Sequence, residues 1–376
     1  MPINVLVVDD SVVIRRLVSS VLEEDPDITV VGTAANGKLA LAKLPTLKPD
    51  LITLDIEMPE MDGLATLREL RRTDRKTPVV MFSTLTERAA KATLEALALG
   101  ANDYVTKPAN VGSVSAGMES VRADLVPKIK SLRADLVSAV RRAPAPTASS
   151  APVAAVPSRP QPAVASAVNG VAPQVLAIGC STGGPEALAH VLQSLPGDLP
   201  VPVVTVQHMP PVFTAMFAQR LDGNCALKVK EARDGDALVP GTVLIAPGDF
   251  HMRVRKSGQR ILVSTDQGPQ ENFCRPAVDP LFRSVADVFG AATLAVVLTG
   301  MGSDGRKGAE PLRALGCEVL VQDEQTSVVW GMPGAIANAG LATSILPLPQ
   351  VAPAILRSLS RGAGQSAPAF ATGGRP

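Results

Sequence analysis

Aromatic side chains are almost missing from this sequence: 3% of 376 residues, with one Trp and one Tyr. Its interior must therefore be built from Val, Leu, Ile and Ala, and a hydrophobic share of 46% supplies them. Cysteine is sparse too. Cys180, Cys225, Cys274 and Cys317 lie far apart with no C-x-x-C pair, which excludes a disulfide scaffold and argues against structural zinc. Reduced thiols and a cytoplasmic setting are expected. Net charge is nearly absent, at +1, so nucleic acid is not expected as a partner. No apolar run reaches the roughly 20 residues of a membrane span, so no direct membrane insertion is expected. No basic leader with a cleavage site precedes Ile3. Histidine occurs three times, so candidates for an imidazole base are few.

The length predicts two domains. Over residues 1–125, apolar strand-like runs (Ile3–Val8, Ile28–Gly32, Leu51–Leu54, Val79–Phe82, Asp103–Val105) alternate with amphipathic helical stretches such as Val12–Leu22 and Lys38–Leu44. Strict β/α alternation predicts a doubly wound parallel sheet. From residue 126 a basic helix end (Lys128, Lys130, Arg133, Arg141, Arg142) leads into an Ala/Pro/Ser-rich stretch ending near 173, read as a solvated helix and a disordered linker. A second α/β unit is expected over 174–360, with strands near Val175–Ile178, Val201–Val206, Thr242–Ala246, Ile261–Ser264, Leu294–Leu298 and Glu318–Val321. Helices are expected to begin near Pro185, Phe213, Pro280, Lys307 and Pro333. Residues 361–376 read as a disordered tail.

In the first unit Asp9 and Asp10 follow the first strand, Asp55 ends the third, Ser83 the fourth, and Lys107 before Pro108 the fifth. All fall on the carboxyl edge of one sheet, where ligands bind in such folds. Converging carboxylates repel one another unless a divalent cation sits among them, and magnesium suits oxygen ligands. Asp55 then becomes a nucleophile for a phosphoryl group, with Lys107 and the Ser83 hydroxyl neutralising and binding the added oxygens. A plainer role for Asp9-Asp10-Ser11 is a helix N-cap.

The second unit places Gly179-Cys180-Ser181-Thr182-Gly183-Gly184, Gln207-His208-Met209-Pro210 and Thr299-Gly300-Met301-Gly302-Ser303-Asp304-Gly305 after three apolar runs. A serine, a histidine and an aspartate delivered to one sheet edge fit a hydrolytic triad. The glycines around Ser181 fit a nucleophile elbow, and equally an anion-binding turn at a helix N-terminus. His208, at a strand end before two prolines, is the first choice of base; His251 is the alternative, and His190, among apolar residues, reads as structural. Asp304 would orient the imidazole, or else cap a helix. The Met301 amide is the candidate oxyanion donor. Cys180 as nucleophile is the less suitable alternative to Ser181.

On Asp9-Asp10, Asp55, Met58-Pro59-x-Met61-Asp62-Gly63, Ser83 and Lys107-Pro108, the first unit resembles a response-regulator receiver domain. That resemblance implies a flavodoxin-like fold, Asp55 as phosphoacceptor for a histidine kinase, Tyr104 as an aromatic switch residue, and Mg²⁺ held by Asp9, Asp10, Asp55 and the Glu57 carbonyl. On Ala177–Gly184, Gln207–Pro210, Leu298–Gly305, Ala246-Pro247-Gly248-Asp249 and Arg275-Pro276-x-Val278-Asp279, the second resembles the chemotaxis methylesterase family. The one departure is Cys180 where alanine is common. The resemblance implies a Rossmann-like fold and cofactor-free hydrolysis of glutamyl γ-methyl esters on chemoreceptors. It also implies deamidation of receptor glutamines, with phosphorylation of Asp55 controlling access to the esterase. A switched phosphate binder and a small-molecule esterase are the rival classes.

Overall fold

The structure, a computed structural model, describes residues 2–108, 114–134 and 170–360. The expected linker up to residue 169 and the expected tail from Arg361 lie outside them. The chain divides into two units, Met1–Val164 and Ala165–Pro376.

The first unit runs β1 (Ile3–Val8), α1 (Val12–Glu23), β2 (Ile28–Ala34), α2 (Gly37–Leu47), β3 (Leu51–Asp55), α3 (Gly63–Thr73), β4 (Val79–Ser83), α4 (Glu87–Ala98), β5 (Asp103–Thr106) and α5 (Val114–Leu132). Its strands form one parallel sheet in the order β2-β1-β3-β4-β5. β3 and β4 are buried along their whole length, as strands covered by helices on both faces must be. Helix starts are set chemically. Ser11, Asn36, Asp62 and Thr86 each accept a hydrogen bond from the backbone amide three residues on, satisfying one orphan donor of α1, α2, α3 and α4.

The last helix corrects the sequence reading. α5 continues to Leu132, and its Leu125 and Ile129 are fully buried in the sheet's core. Of the basic residues expected on a solvated helix, Lys128, Lys130 and Arg133 instead tie the end of α5 down, while Arg141 and Arg142 lie outside the described residues. Lys128 Nζ donates to the Tyr104 carbonyl at 2.6 Å and pairs with Asp124 at 2.8 Å. Lys130 lies 2.8 Å from both Asp25 and Asp27, and Arg133 donates to the Asp50 carbonyl at 2.9 Å. Charge counting along the chain hid this, because the acidic partners Asp25, Asp27 and Asp50 lie far away in sequence, Asp27 by 103 residues.

The second unit runs β6 (Val175–Cys180), α6 (Gly184–Gln193), β7 (Val203–Gln207), α7 (Phe213–Asp222), β8 (Lys228–Glu231), β9 (Thr242–Ile245), β10 (His251–Ser257), β11 (Arg260–Asp266), α8 (Val278–Phe289), β12 (Thr293–Val297), α9 (Arg306–Ala314), β13 (Glu318–Gln322), α10 (Met332–Asn338), β14 (Ser344–Leu346) and α11 (Leu348–Ser360). Seven strands form a parallel sheet in the order β14-β13-β12-β6-β7-β9-β8. The apolar run at 261–264 belongs to β11, which pairs with β10 in an antiparallel hairpin apart from that sheet. β8 and β10 escaped the sequence reading because charged residues interrupt them, and β14 because it is three residues long.

Strand order decides where the sites fall. From β6 the chain winds one way to β7 and later returns on the other side as β12, so the sheet reverses direction at β6. In the first sheet the reversal lies between β1 and β3. Crevices at such switch points, beyond the strands' carboxyl ends, are where α/β folds bind ligands.

α8 is the packing hub of the second unit. Its Leu281, Phe282 and Val285 are fully buried beneath β6 and β12. Phe282→Ala is expected to cost about 3–5 kcal/mol of unfolding free energy by transfer and cavity terms; a loss below about 1 kcal/mol in denaturant titration would show that α8 does not carry this core.

Candidate active site and phosphoacceptor pocket

Ser181 leaves β6 immediately beyond Cys180, which is registered with Gln207 of β7. Its backbone is tied on both sides. The Ser181 amide donates to the Thr299 carbonyl at 3.0 Å beyond β12, and its carbonyl accepts from Gln207 Nε2 at 3.0 Å and the Gly184 amide at 2.7 Å. Gly183 turns the chain into α6 with φ 73°, a left-handed conformation that glycine adopts without strain. A side chain at 183 would also meet Val328 at 2.5 Å. The hydroxyl-bearing residue is thus fixed by strand ends on either side of it.

His208 follows β7, its amide donating to the Cys180 carbonyl at 3.1 Å. Adjacent strands lie about 4.8 Å apart, so His208 and Ser181 emerge side by side. The imidazole Nε2 lies 2.7 Å from Asp304 Oδ2. Its Nδ1 lies 3.5 Å from the sulfur of Cys274. Among the described residues no hydrogen bond joins the Ser181 hydroxyl to His208. The structure therefore brings His208 and Asp304 together and seats Ser181 next to them, while a cysteine holds the second ring nitrogen.

Asp304 is 1% exposed and heavily satisfied. Besides His208 it accepts from the amides of Val278 (2.6 Å), Asp279 (3.0 Å) and Gly305 (2.9 Å), and from Asn272 Nδ2 (2.8 Å). The helix cap weighed as its alternative role is real, but the helix is α8 rather than the one that follows it. The capping residue Ala277 offers α8 no side chain, and Asp304 serves its first amides instead. Burial works to raise the Asp304 carboxyl, and the His208 bond with these amides holds it below the usual carboxylate range. For His208, burial favours the neutral ring, but the adjacent Cys274 sulfur and the Asp304 carboxylate outweigh it and push the imidazole up to about 10.

Two further residues shape this centre without having stood out in the sequence. Asn272 Nδ2 bridges Asp304 and Asp279 (2.9 Å), the latter raised by burial and by Asp304. Gln207 braces the Ser181 and His208 carbonyls from one side chain. Both sat inside or beside motifs already quoted; nothing in their spacing announced the contacts.

His251 is excluded as the base. It is 1% exposed, with Nε2 2.9 Å from the Pro269 carbonyl and Nδ1 accepting from the Ala277 amide at 3.3 Å. His190 is exposed on α6 rather than packed in the core; the apolar neighbours in sequence lie on the other face of the helix. Cys180 is fully buried, and burial pushes its thiol far up, which removes it as a nucleophile.

Gly300 is held by its amide to the Val329 carbonyl and by its carbonyl to the Gly331 and Met332 amides. A side chain at 300 would meet the Met332 sulfur at 2.4 Å and Ser181 Cβ at 2.9 Å. Met301 follows with an amide that donates to no group among the described residues, as an oxyanion donor must. Trp330 flanks the loop, paired with Gly300 and donating its indole N–H to the Gln322 carbonyl at 2.9 Å.

In the first unit Asp9 and Asp55 are 2% exposed, and Lys107 Nζ lies 2.9 Å and 2.7 Å from them. Burial raises Asp55 to about 6, with Lys107 opposing and Asp9 adding to the rise. Ligand oxygens of Asp9, Asp10 and Asp55 lie within 4.8 Å of one another. An all-oxygen donor set, with more negative charge than one lysine offsets, fits a hard divalent cation. Ser83 is buried and accepts from Thr93 Oγ1 at 2.8 Å. Tyr104 is buried, with Lys128 Nζ 5.4 Å from its ring centre. Glu57 is placed by its amide to Asp55 Oδ1 at 3.4 Å.

These shifts have signs that can be measured. His208 binds its proton more tightly folded than unfolded, so its share of stability is complete below pH 6.5 and lost as pH rises through about 10. Unfolding free energy of the second unit should decline across that window, and His208→Gln should flatten the decline. Asp55 also holds its proton more tightly when folded, so its ionisation costs stability as pH rises from about 4 through about 6. Asp55→Asn should therefore gain on the parent chain between pH 4 and pH 8, by up to roughly 3 kcal/mol. Added Mg²⁺ should narrow the gap by stabilising the parent chain.

The CheB methylesterase family model matches residues 176–355, and the response regulator receiver domain model matches residues 5–117. A protein-glutamate methylesterase/protein-glutamine glutaminase from Nocardioides sp. is 55% identical over 98% of this chain and 99% of its own length. One with the same name from Trichodesmium erythraeum is 48% identical over 95% and 99%. The crystal structure of the Thermotoga maritima CheB methylesterase catalytic domain is 41% identical, covering 50% of this chain and 99% of that one, with a TM-score of 0.49. With two relatives at that identity over nearly the whole length of both chains, the protein belongs to the chemotaxis methylesterase family, a receiver domain followed by a methylesterase domain.

Proposed function

We propose that this chain is a phosphorylation-regulated protein-glutamate methylesterase that hydrolyses glutamyl γ-methyl esters on chemoreceptors and deamidates receptor glutamines. The observation that carries the reading is the His208–Asp304 pair, set beside Ser181 where the seven-stranded sheet reverses. Asp304 occupies Nε2, so the working nitrogen is Nδ1. In its neutral form His208 takes the Ser181 proton through that nitrogen as the serine oxygen attacks the ester carbonyl carbon. The Met301 amide donates to the resulting oxyanion, a contribution of about 3–4 kcal/mol for one such donor. Collapse breaks the carbon–methoxy bond, and His208 returns the proton so that methanol leaves. A water, deprotonated by the same nitrogen, then hydrolyses the acyl-serine to a free carboxylate. With glutamine the leaving group is ammonia.

The imidazolium formed in each half-reaction is stabilised by Asp304, whose remaining oxygen positions are filled by amides and cannot swing away. Each turnover adds one negative charge to the receptor. Asp55 is the phosphoacceptor for a histidine kinase. Asp9, Asp10, Asp55 and the Glu57 carbonyl would hold Mg²⁺, which would supply charge neutralisation there, and Lys107 and Ser83 receive the added phosphoryl oxygens. With a histidine kinase and chemoreceptors as its partners, the chain is assigned to the cytoplasm. Among the described residues no helix is long and apolar enough to cross a membrane.

Methanol release from methylated receptor membranes tests this reading. Ser181→Ala should reduce the rate by a factor on the order of 10⁴ or more. A small phosphodonor with Mg²⁺ should accelerate the parent chain and leave Asp55→Asn unmoved. Unimpaired release by Ser181→Ala would remove the serine mechanism, and equal acceleration of Asp55→Asn would remove the control.

A further inference from the structure

Cys274 is a nucleophile that the hydrolytic mechanism does not use. It closes a turn in which the amides and carbonyls of Glu271 and Cys274 bond each other at 2.9 and 3.2 Å. Asn272 and Phe273 at the turn take φ 52° and 62°, a backbone state that costs non-glycine residues energy and persists only when neighbours enforce it. They do: Asn272 is held by Asp304 and Asp279, Glu271 by Arg283 at 2.5 Å, and Arg275 by Asp249 at 2.6 Å. The turn therefore fixes the Cys274 sulfur 3.5 Å from His208 Nδ1. Cys274 is partly exposed and its neighbour Phe273 is 96% exposed, so the turn that carries the sulfur borders solvent.

Cysteine, histidine and aspartate thus stand in line, Cys274–His208–Asp304. The sulfur therefore has a ring nitrogen in contact to receive its proton during a reaction, and Asp304 on the far side of the ring stabilises the imidazolium that forms. The other charged groups packed around the trio are compensated. Asp279 shares the Asn272 amide, Glu271 pairs with Arg283 and Asp249 with Arg275, while His251 spends both nitrogens on backbone. The other thiols lack such a partner: Cys180 and Cys317 are buried, and burial together with Asp222 raises Cys225. Because Nε2 belongs to Asp304, Cys274 and Ser181 compete for one nitrogen.

We propose that Cys274 is a reversible redox-modification site, at which a hydroperoxide oxidises the sulfur and the modified side chain withholds His208 from Ser181, switching hydrolysis off. This rests on His208 serving Ser181 as base. The Cys274 sulfur attacks one peroxide oxygen as its proton passes to His208 Nδ1; an S–O bond forms and the O–O bond breaks. The departing hydroxide takes the His208 proton and leaves as water. Sulfur loses two electrons to become a sulfenic acid, and the peroxide gains them. The new S–O–H donates to the neutral Nδ1 and occupies it. A free thiol reverses the change: it displaces water to give a mixed disulfide, and a second thiol attacks that disulfide and releases Cys274 as thiol.

Two measurements on the full chain test the proposal. In the first, hydrogen peroxide should abolish most methanol release by the parent chain, with recovery on adding dithiothreitol, while Cys274→Ser and Cys274→Ala each keep their own untreated rate. Equal loss in parent and variants would overturn it. In the second, iodoacetamide labelling at pH 7 is followed by peptide mass spectrometry, which needs no activity. Cys274 should label about tenfold or more faster than Cys225, His208→Gln should remove that advantage, and Ser181→Ala should keep it. Labelling of Cys274 no faster than Cys225 would overturn the thiol–imidazole pairing, whatever the hydrolysis assays give. Fast labelling with peroxide-resistant hydrolysis in the parent chain would overturn the switch and leave the serine mechanism standing. Release by Ser181→Ala at the parent rate, with labelling intact, would count against the serine reading instead.

Discussion

One buried carboxylate organises the second unit's chemistry. Asp304 gathers hydrogen bonds from an imidazole, a side-chain amide and three backbone amides, two of them the first free donors of α8. A charge that deep is tolerable only when its oxygens are fully met, and removing any donor exposes the rest to that cost. The same bonds that pay for burial also set direction: they fix which ring nitrogen of His208 faces the carboxylate and hence which one is left for chemistry. In the proposed mechanism structure and catalysis share one anchor, because a helix start and the imidazole assigned as base draw on the same oxygens.

The two sheets use a common plan for unlike tasks. In each, the strand order reverses and loops leaving either side of the reversal converge. The first sheet fills its crevice with carboxylates and one lysine, a polyanionic cup suited to a cation and a phosphoryl group. The second fills its crevice with a hydroxyl, an imidazole and glycine-lined amides. Parallel strands supply position alone; the residue types at their carboxyl ends decide whether the crevice holds a metal or attacks a carbonyl.

Much of this was legible from the residues. Strand and helix periodicity located β1 to β5 and the central strands of the second sheet to within a residue or two, since buried parallel strands are unbroken apolar runs. Asp55, Ser181, His208 and Asp304 could be named because strand ends followed by glycine or proline mark the functional edge. What escaped was nonlocal. β8 and β10 carry alternating charges whose burial depends on what packs against one face. The basic end of α5 reads as solvent-facing until the distant Asp25, Asp27 and Asp50 arrive beside it. Cys274 lies one residue outside a motif already marked, and nothing in sequence spacing says that a turn 66 residues downstream delivers its sulfur to His208. Even the exclusion of His251 required seeing both nitrogens bound to backbone groups.

The scarcity of aromatic residues has an optical corollary. The whole chain has a single indole, Trp330, and it leans on the Gly300 loop with its N–H bound to the Gln322 carbonyl. Near-ultraviolet excitation at the red edge of protein absorption therefore lights one spot, paired with Gly300, the residue before the amide assigned to the oxyanion. Emission colour and quenching in the native chain report on that loop alone, so occupancy of the esterase crevice carries its own dye.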